Sequence, residues 1–223
     1  MRSVYSIRRQ ACLFLMILLN AACVEPEDRH SDQADLRNPW TLPIAETAPL
    51  LAAGQEVFGS CASCHLADAG GRPDGTIPRL AGQNPVILER RLWALFEDLS
   101  DLPVMTPFAR ALAPKEISQV SAYLSALPRP AQVGLGSGER LERGAEVYGE
   151  LCISCHAPKG MGQSELNAPR LCGQHAAYSL RRLDEMTNGG RRNSDPAMSA
   201  IASVLDSQDR RAVSDYLARL ECD

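Results

Sequence analysis

The sequence predicts an all-α protein built from two tandem domains. Three observations support this prediction: apolar residues recur at helical spacing, no segment of useful length resembles a strand, and the second half of the chain repeats the first at an offset of 90–93 residues. With 223 residues and 45% hydrophobic content, the chain can form two small cores.

The N-terminal segment, residues 1–22, is predicted to be an export signal. Three arginines precede an apolar run over residues 11–19, which is too short to span a bilayer. The run leads to Ala21, Ala22 and Cys23, and small residues before a cysteine resemble a bacterial lipoprotein signal. We therefore expect a periplasmic protein with a lipid anchor on Cys23; ordinary cleavage near Ala21 or Ala22 is the alternative.

Residues 23–45 are polar and acidic and are predicted to be a flexible, disordered tether. Removing the three leader arginines changes the formal net charge from -4 to -7. An acidic chain gives no reason to propose nucleic-acid binding. It suits a redox protein partner with a basic docking patch.

The repeat predicts domains at residues 46–127 and 139–223, joined by a proline- and glycine-rich linker at 128–138. The matched segments are 54–59 with 144–149, 61–65 with 152–156, 78–83 with 169–174, and 103–105 with 196–198.

Each domain is predicted to contain a short first helix, a middle helix and a last helix. The last helices are expected at about Pro114–Leu127 and Ser207–Leu220, the second capped by Asp206. Glycines in the first helices, Gly54 and Gly144, are expected to let each one pass close to the last helix of its domain. Phe58 and Tyr148 are then expected to pack near Tyr123 and Tyr216.

Each domain carries a CxxC pair followed at once by histidine, which is the attachment signature for c-type haem. Two thiols on one helical turn can form thioethers with the two haem vinyl groups, and the histidine can ligate iron. A four-thiolate zinc site is disfavoured because the pairs lie 88 residues apart, and a thioredoxin-like pair lacks its βαβ context. We expect two covalent haem c groups, attached and ligated by Cys61, Cys64 and His65, and by Cys152, Cys155 and His156.

Methionine is predicted as the second axial ligand in both domains. Met105 follows His65 by 40 residues and Met198 follows His156 by 42, at equivalent places in the repeat. Met161 and Met186 have no methionine counterpart, so we expect them to fill space in loops or the core.

Pro78 and Pro169 each follow the histidine of their domain by 13 residues. An iron-bound imidazole needs an acceptor for its other N–H, and we expect the carbonyls of these prolines to supply it. A loop-rigidifying role is the alternative. Several arginines could pair with haem propionates or could be solvated: Arg79, Arg90, Arg91, Arg170, Arg181 and Arg182.

Cys172 and Cys222 are the cysteines that remain after the leader, lipid and haem assignments. Export places them in an oxidising compartment, so a disulfide is favoured. Two free thiols, or Cys172 as a thiolate ligand of iron, are the alternatives.

These motifs resemble class I cytochromes c, and their tandem arrangement is similar to the dihaem cytochrome c4 family. The resemblance covers about residues 46–221 and implies two domains in pseudo-twofold contact, His/Met coordination and electron transfer between respiratory complexes. One departure is that Phe58 lies three residues before Cys61, whereas Tyr148 lies four before Cys152. The first helix is therefore expected to meet the haem differently in the first domain.

The protein is therefore interpreted as an electron carrier rather than an enzyme, since iron ligated by both His and Met has no open position for a substrate. Its expected partners are a respiratory complex, an oxidase or a dehydrogenase. The alternatives are an electron-accepting haem subunit of a periplasmic dehydrogenase, and a dihaem enzyme acting on sulfur compounds or peroxide.

Overall fold

The computed structural model describes residues 44–99, 102–187 and 195–222. Cys23, the leader and all but the end of the expected tether lie outside this part of the chain. Ten α-helices and no β-strand occur within the described ranges, which confirms the all-α prediction. In the first copy they are α1 (Ile44–Phe58), α2 (Ala62–His65), α3 (Pro85–Phe96), α4 (Thr106–Arg110) and α5 (Pro114–Ala126). In the second they are α6 (Leu141–Val147), α7 (Ile153–His156), α8 (Ala176–Thr187), α9 (Pro196–Val204) and α10 (Ser207–Arg219).

Side-chain caps begin three of these helices. Asn84 accepts a hydrogen bond from the backbone N–H of Val86 at the start of α3, and Asp195 accepts one from Ala197 at the start of α9. The Asp206 carboxylate accepts from both Gln208 and Asp209 at the start of α10, as its sequence position predicts.

In each copy the first helix crosses the last at a glycine. A Cβ on Gly54 would lie 2.1 Å from the carbonyl oxygen of Gln119, and one on Gly144 would lie 2.3 Å from that of Ala212. Beside these crossings the rings of Phe58 and Tyr123 are 5.7 Å apart, and those of Tyr148 and Tyr216 are 5.8 Å apart. The predicted close approach and aromatic packing are confirmed.

The extra residue before the second CxxC pair is absorbed by a π-helical turn at Tyr148–Cys152. Such a turn accommodates one additional residue without ending the helix. The two aromatic pairs keep nearly the same separation and tilt, so the additional residue does not change this packing.

The segment joining the copies is held by side chains of both. Arg79 Nη2 donates to the carbonyls of Pro130 and Gln132 at 2.8 and 2.9 Å, and the N–H of Gly134 donates to His175 Nδ1 at 3.0 Å. The exact domain boundaries stay a prediction. Within the described ranges, no helix has the length and apolar content needed to cross a membrane.

Candidate haem-binding sites

Helices α2 and α7 each place one CxxCH motif on a single turn. His65 and His156 are buried, with 6% and 3% of their surface exposed. Each helix ends in a left-handed residue, Leu66 at φ 67° and Ala157 at φ 63°, which turns the chain back around the histidine.

The four motif cysteines are not joined in disulfide bonds. Cys61 and Cys152 are half-buried, whereas Cys64 and Cys155 are exposed. Burial raises the pKa of the Cys61 thiol and raises the pKa of Cys152 to about 11. Burial therefore disfavours the thiolate form of both side chains.

Both histidines bond to the carbonyl that the sequence singled out. His65 Nδ1 lies 3.3 Å from the oxygen of Pro78, and His156 Nδ1 lies 2.9 Å from that of Pro169. Because a carbonyl can only accept, Nδ1 carries the proton and Nε2 keeps its lone pair. Burial lowers the pKa of both imidazoles, so each is held in the neutral form that ligates iron.

A cavity of about 520 Å³ opens beside the second motif, lined by Cys152, His156 and Met198. This volume lies within the range of about 300–1,000 Å³ that is usual for cofactor sites. Its remaining apolar lining includes Leu151, Leu171, Leu183, Ile201, Leu205, Val213 and Leu217. An apolar cavity with a histidine, a thioether-forming cysteine and a methionine on its walls has the chemistry of a haem pocket.

Two methionines rather than one line this cavity, Met186 on α8 and Met198 on α9. Met161 lies elsewhere, with its sulfur 3.9 Å from Cys172 Sγ. In the first copy, Met105 is half-buried immediately before α4. The repeat register favours Met198 as the ligand, while the cavity makes Met186 its rival.

Five of the six candidate propionate-binding arginines line the cavity: Arg79, Arg90, Arg91, Arg170 and Arg182. Arg181 instead stacks over the ring of Tyr178, 5.3 Å from its centroid, and pairs with Glu185.

The Nε atoms of three lining arginines, Arg79, Arg170 and Arg182, are buried and have no hydrogen-bond partner in the described part of the chain. Buried donors of this kind need acceptors, and the two carboxylates of a haem could supply them. The residues present therefore fit the group that the sequence motif predicts.

A disulfide joins Cys172 and Cys222, with an S–S distance of 2.13 Å and Cα atoms 5.6 Å apart. It ties the loop after Pro169 to the end of the chain beyond α10. Arg129, in the linker, places Nη1 3.1 Å from Cys172 Sγ and donates to the carbonyl of Cys222. In this arrangement Cys172 is neither a free thiol nor an iron ligand.

Two glutamines in the repeated segment carry contacts that the sequence analysis did not anticipate. Gln83 of the first copy bonds to the backbone of Arg170 in the second, and Gln174 of the second bonds to the backbone of Arg79 in the first. The sequence analysis also did not identify Gly71 and Gly162, which lie 91 residues apart. A Cβ on either would lie 2.5 Å from a backbone atom of the acceptor proline or of the residue before it. Recurrence in both copies was the signal that could have identified all four.

Known proteins are similar in sequence to both copies of this chain. The family model described as cytochrome c oxidase, cbb3-type, subunit III matches residues 139–217. Cytochrome c4 of Pseudomonas aeruginosa is 30% identical over 79% of this chain and 92% of its own. The thiosulfate dehydrogenase electron acceptor of Stutzerimonas stutzeri is 33% identical over 80% of this chain and 94% of its own.

The fold also matches a solved structure. Reduced recombinant cytochrome c4 from Pseudomonas stutzeri superposes with a TM-score of 0.69 at 28% identity, covering 77% of this chain and 98% of that one. The match therefore extends over both copies rather than over a single one.

Proposed function

The chain belongs to the dihaem cytochrome c4 family, and from this premise we propose that it is a periplasmic electron carrier with one haem c in each domain. The proposal is supported chiefly by one observation. In both copies a buried histidine after CxxC donates Nδ1–H to a proline carbonyl 13 residues later, leaving Nε2 available for iron.

The residues have distinct roles in this proposal. Cys61 and Cys64, and likewise Cys152 and Cys155, would hold the two haems by thioether bonds. His65 and Met105 would ligate the iron of the first haem, and His156 and Met198 would ligate that of the second. When bound, each haem would supply a one-electron iron couple, and the apolar residues and arginines of the cavity beside His156 would bind and orient the second haem.

We infer that the protein transfers electrons between redox proteins and does not transform a substrate itself, because a histidine and a methionine together would leave the iron of each domain no open position for a substrate. A respiratory complex, an oxidase or a dehydrogenase is the expected partner. The formal charge of -7 without the leader favours a partner with a basic docking surface.

A narrower role as the electron acceptor of a dehydrogenase is favoured by one observation. The identity to the thiosulfate dehydrogenase electron acceptor, 33%, is as high as the identity to the cytochrome c4 of Pseudomonas aeruginosa, 30%. Sequence similarity therefore supports this role as well as that of a freestanding carrier.

The carrier proposal is tested by haem stoichiometry and reversible redox titration of the exported protein. We expect two haems c per chain, both low-spin in the oxidised and reduced states, and two reversible one-electron steps. A single haem, or a high-spin iron that binds peroxide or cyanide rapidly, would contradict the proposal.

The narrower role is tested by stopped-flow reduction. The oxidised protein is mixed with a thiosulfate dehydrogenase and thiosulfate, and separately with a reduced quinol-oxidising respiratory complex. Faster haem reduction by the dehydrogenase supports the acceptor role, whereas faster reduction by the complex supports a carrier between respiratory complexes.

Membrane attachment through Cys23 is proposed from the sequence junction alone. Stable anchoring would need more than one acyl chain, since a single chain binds membranes only marginally. Mass spectrometry of the native N-terminus should find lipidated Cys23. An unmodified N-terminus at or beyond Ala22 would show ordinary cleavage instead.

A further inference from the structure

The peptide group between Pro78 and Arg79 makes a hydrogen bond at each of its two ends. Its carbonyl, from Pro78, accepts from His65 Nδ1 at 3.3 Å. Its N–H, from Arg79, donates to Gln174 Oε1 of the other domain at 3.0 Å. A continuous chain of hydrogen bonds therefore leads from the histidine of the first domain to a glutamine of the second.

The second domain repeats this arrangement in reverse. The carbonyl of Pro169 accepts from His156 Nδ1 at 2.9 Å, and the N–H of Arg170 donates to Gln83 Oε1 at 2.9 Å. The histidine of the second domain is thus connected to a glutamine of the first. The two connections are related by the sequence repeat.

Each glutamine binds the facing residue at two points. Gln174 Nε2 donates to the carbonyl of Arg79 at 3.0 Å, and Gln83 Nε2 donates to that of Arg170 at 2.9 Å. A carboxamide that both accepts from and donates to one residue determines the position and the orientation of that backbone.

The backbone next to each glutamine is hydrogen-bonded to the last helix of its own domain. The N–H of Gly82 donates to Leu124 of α5 at 2.8 Å, and the N–H of Gly173 donates to Leu217 of α10 at 2.9 Å. The residue that precedes each glutamine is therefore anchored to the last helix. The acceptor peptide of each domain is thus hydrogen-bonded to a glutamine whose neighbour is bonded to the last helix of the other domain.

Hydrogen bonds in series polarise one another. A bond at the N–H end of the peptide makes its carbonyl a stronger acceptor for the histidine Nδ1–H. A stronger acceptor makes the imidazole a more basic ligand, which stabilises oxidised iron relative to reduced iron. Each glutamine thus acts on the iron of the opposite domain through the peptide and the histidine.

We propose that Gln83 and Gln174 are positioning residues that lower the reduction potential of the haem in the opposite domain. Gln174 acts on the haem attached at Cys61 and Cys64, and Gln83 acts on the haem attached at Cys152 and Cys155. This proposal rests on the proposed function, because it requires haem in both domains.

The test is a redox titration of Gln174→Leu and Gln83→Leu holoproteins. Each haem is followed separately by its shifted methyl resonances in nuclear magnetic resonance, assigned through contacts to residues of one domain. Each leucine removes both hydrogen bonds of the glutamine to the facing residue, of which the one from the N–H of the acceptor peptide acts on the histidine. Its loss should change the electron affinity of the haem about fivefold, or about 40 mV at 59 mV per tenfold. Gln174→Leu should raise the potential of the first-domain haem, and Gln83→Leu that of the second-domain haem.

The matched control is His175→Ala, which removes a different contact between the copies and leaves both glutamines in place. His175 Nε2 donates to the carbonyl of Gly70 at 2.9 Å. If this variant shifts the potentials as much as the glutamine variants do, the effect is general loosening and the proposal is wrong. A shift of the haem in the glutamine's own domain, or no shift at all, would also overturn it.

Two further measurements separate the possible failures. If the leucine variants lose haem, Gln174→Met and Gln83→Met repeat the titration with an unbranched chain of similar length. The wild-type protein is examined first for two low-spin haems. Their absence would contradict the proposed function, whereas two intact haems without cross-domain shifts would contradict only this inference.

Discussion

At the scale of single residues, burial and one hydrogen bond give each motif histidine the form that ligates iron. Burial keeps the imidazoles of His65 and His156 neutral, and the proline carbonyls select the tautomer with a free Nε2. The second ligand predicted for the second copy is less well determined, because both Met186 and Met198 line the cavity.

Substituting the methionines distinguishes these ligands. Met105→Ala and Met198→Ala should each remove about half of the weak sulfur-to-iron absorption band of the oxidised protein, because each is proposed as one of the two methionine ligands. Met186→Ala is the matched control from the same cavity and should leave the band intact. Loss of the band in Met186→Ala, with retention in Met198→Ala, would make Met186 the ligand.

At the scale of secondary-structure elements, the first and last helices of each copy cross in close contact. The contacts at Gly54 and Gly144 are with backbone carbonyls, which cannot move aside as a flexible side chain can. The π-helical turn after α6 preserves this crossing in the second copy despite one additional residue before the cysteines.

Gly144→Ala should therefore destabilise the protein. Its new Cβ would lie 2.3 Å from the carbonyl oxygen of Ala212, so α6 and α10 would have to separate. Overpacking of this kind typically costs about 1–3 kcal/mol. Denaturant unfolding of the oxidised holoprotein measures the loss.

Gly149→Ala provides the control in the same segment, because the residue is exposed and a Cβ added there would meet no described atom within 4 Å beyond its own helix. This variant should keep wild-type stability or gain slightly from the better helix propensity of alanine. Equal losses in the two variants would show that the helix crossing is not the cause.

The disulfide also belongs to this scale, because it joins the loop after Pro169 to the residues that follow α10. Its cysteines are 50 residues apart, and closing such a loop stabilises the folded state by about 4 kcal/mol in the chain-entropy model. The double variant Cys172→Ala/Cys222→Ala should lose about this much in denaturant unfolding.

Thiol counting checks the bond itself in protein whose Cys23 has been replaced. Under denaturing, non-reducing conditions, the haem-loaded chain should show no reactive thiol. Two reactive thiols would mean that Cys172 and Cys222 are not joined in the exported protein.

At the scale of the whole molecule, the two copies are joined by polar contacts as well as by the chain. His175 is fully buried between them, accepting from Gly134 at Nδ1 and donating from Nε2 to Gly70. Both ring nitrogens are used, and the Nδ1 contact requires a neutral ring. Protonation would turn that acceptor into a donor facing another donor.

The interface should therefore weaken in acid. Burial and the nearby Arg79 lower the pKa of His175 below 6.5, against the opposing effects of its hydrogen bond to Gly70 and of Asp74. The unfolded chain then binds more protons than the folded chain once the pH falls below about 6.5. Stability is fully present above that pH and is lost as the pH decreases toward the lower pKa of the folded state.

Thermal unfolding of the holoprotein between about pH 5 and pH 8 measures this loss of stability. The comparison is with His175→Asn, because asparagine is the residue at the equivalent position of the first copy, Asn84. The variant should show a weaker pH dependence than the wild type. The iron-ligated histidines do not contribute to the difference because both proteins retain them. Identical pH dependence would exclude His175 as the titrating group.

The sequence by itself determined the all-α class, the duplication and the two haem motifs. These features depend on neighbours along the chain, such as two cysteines and a histidine on one helical turn or apolar residues at a helical period. The register of the repeat also indicated which glycines meet the last helices.

Only the tertiary structure decided how the two copies act on each other. Gln83 and Arg170, or Gln174 and Arg79, are far apart in the chain and meet through docked loops. His175 also meets the other copy only through the tertiary structure. Asn84, the residue at the equivalent position of the first copy, caps a helix instead. Contacts of this kind depend on the relative position of two folded domains, which no local sequence pattern encodes, whereas haem attachment is encoded in five consecutive residues.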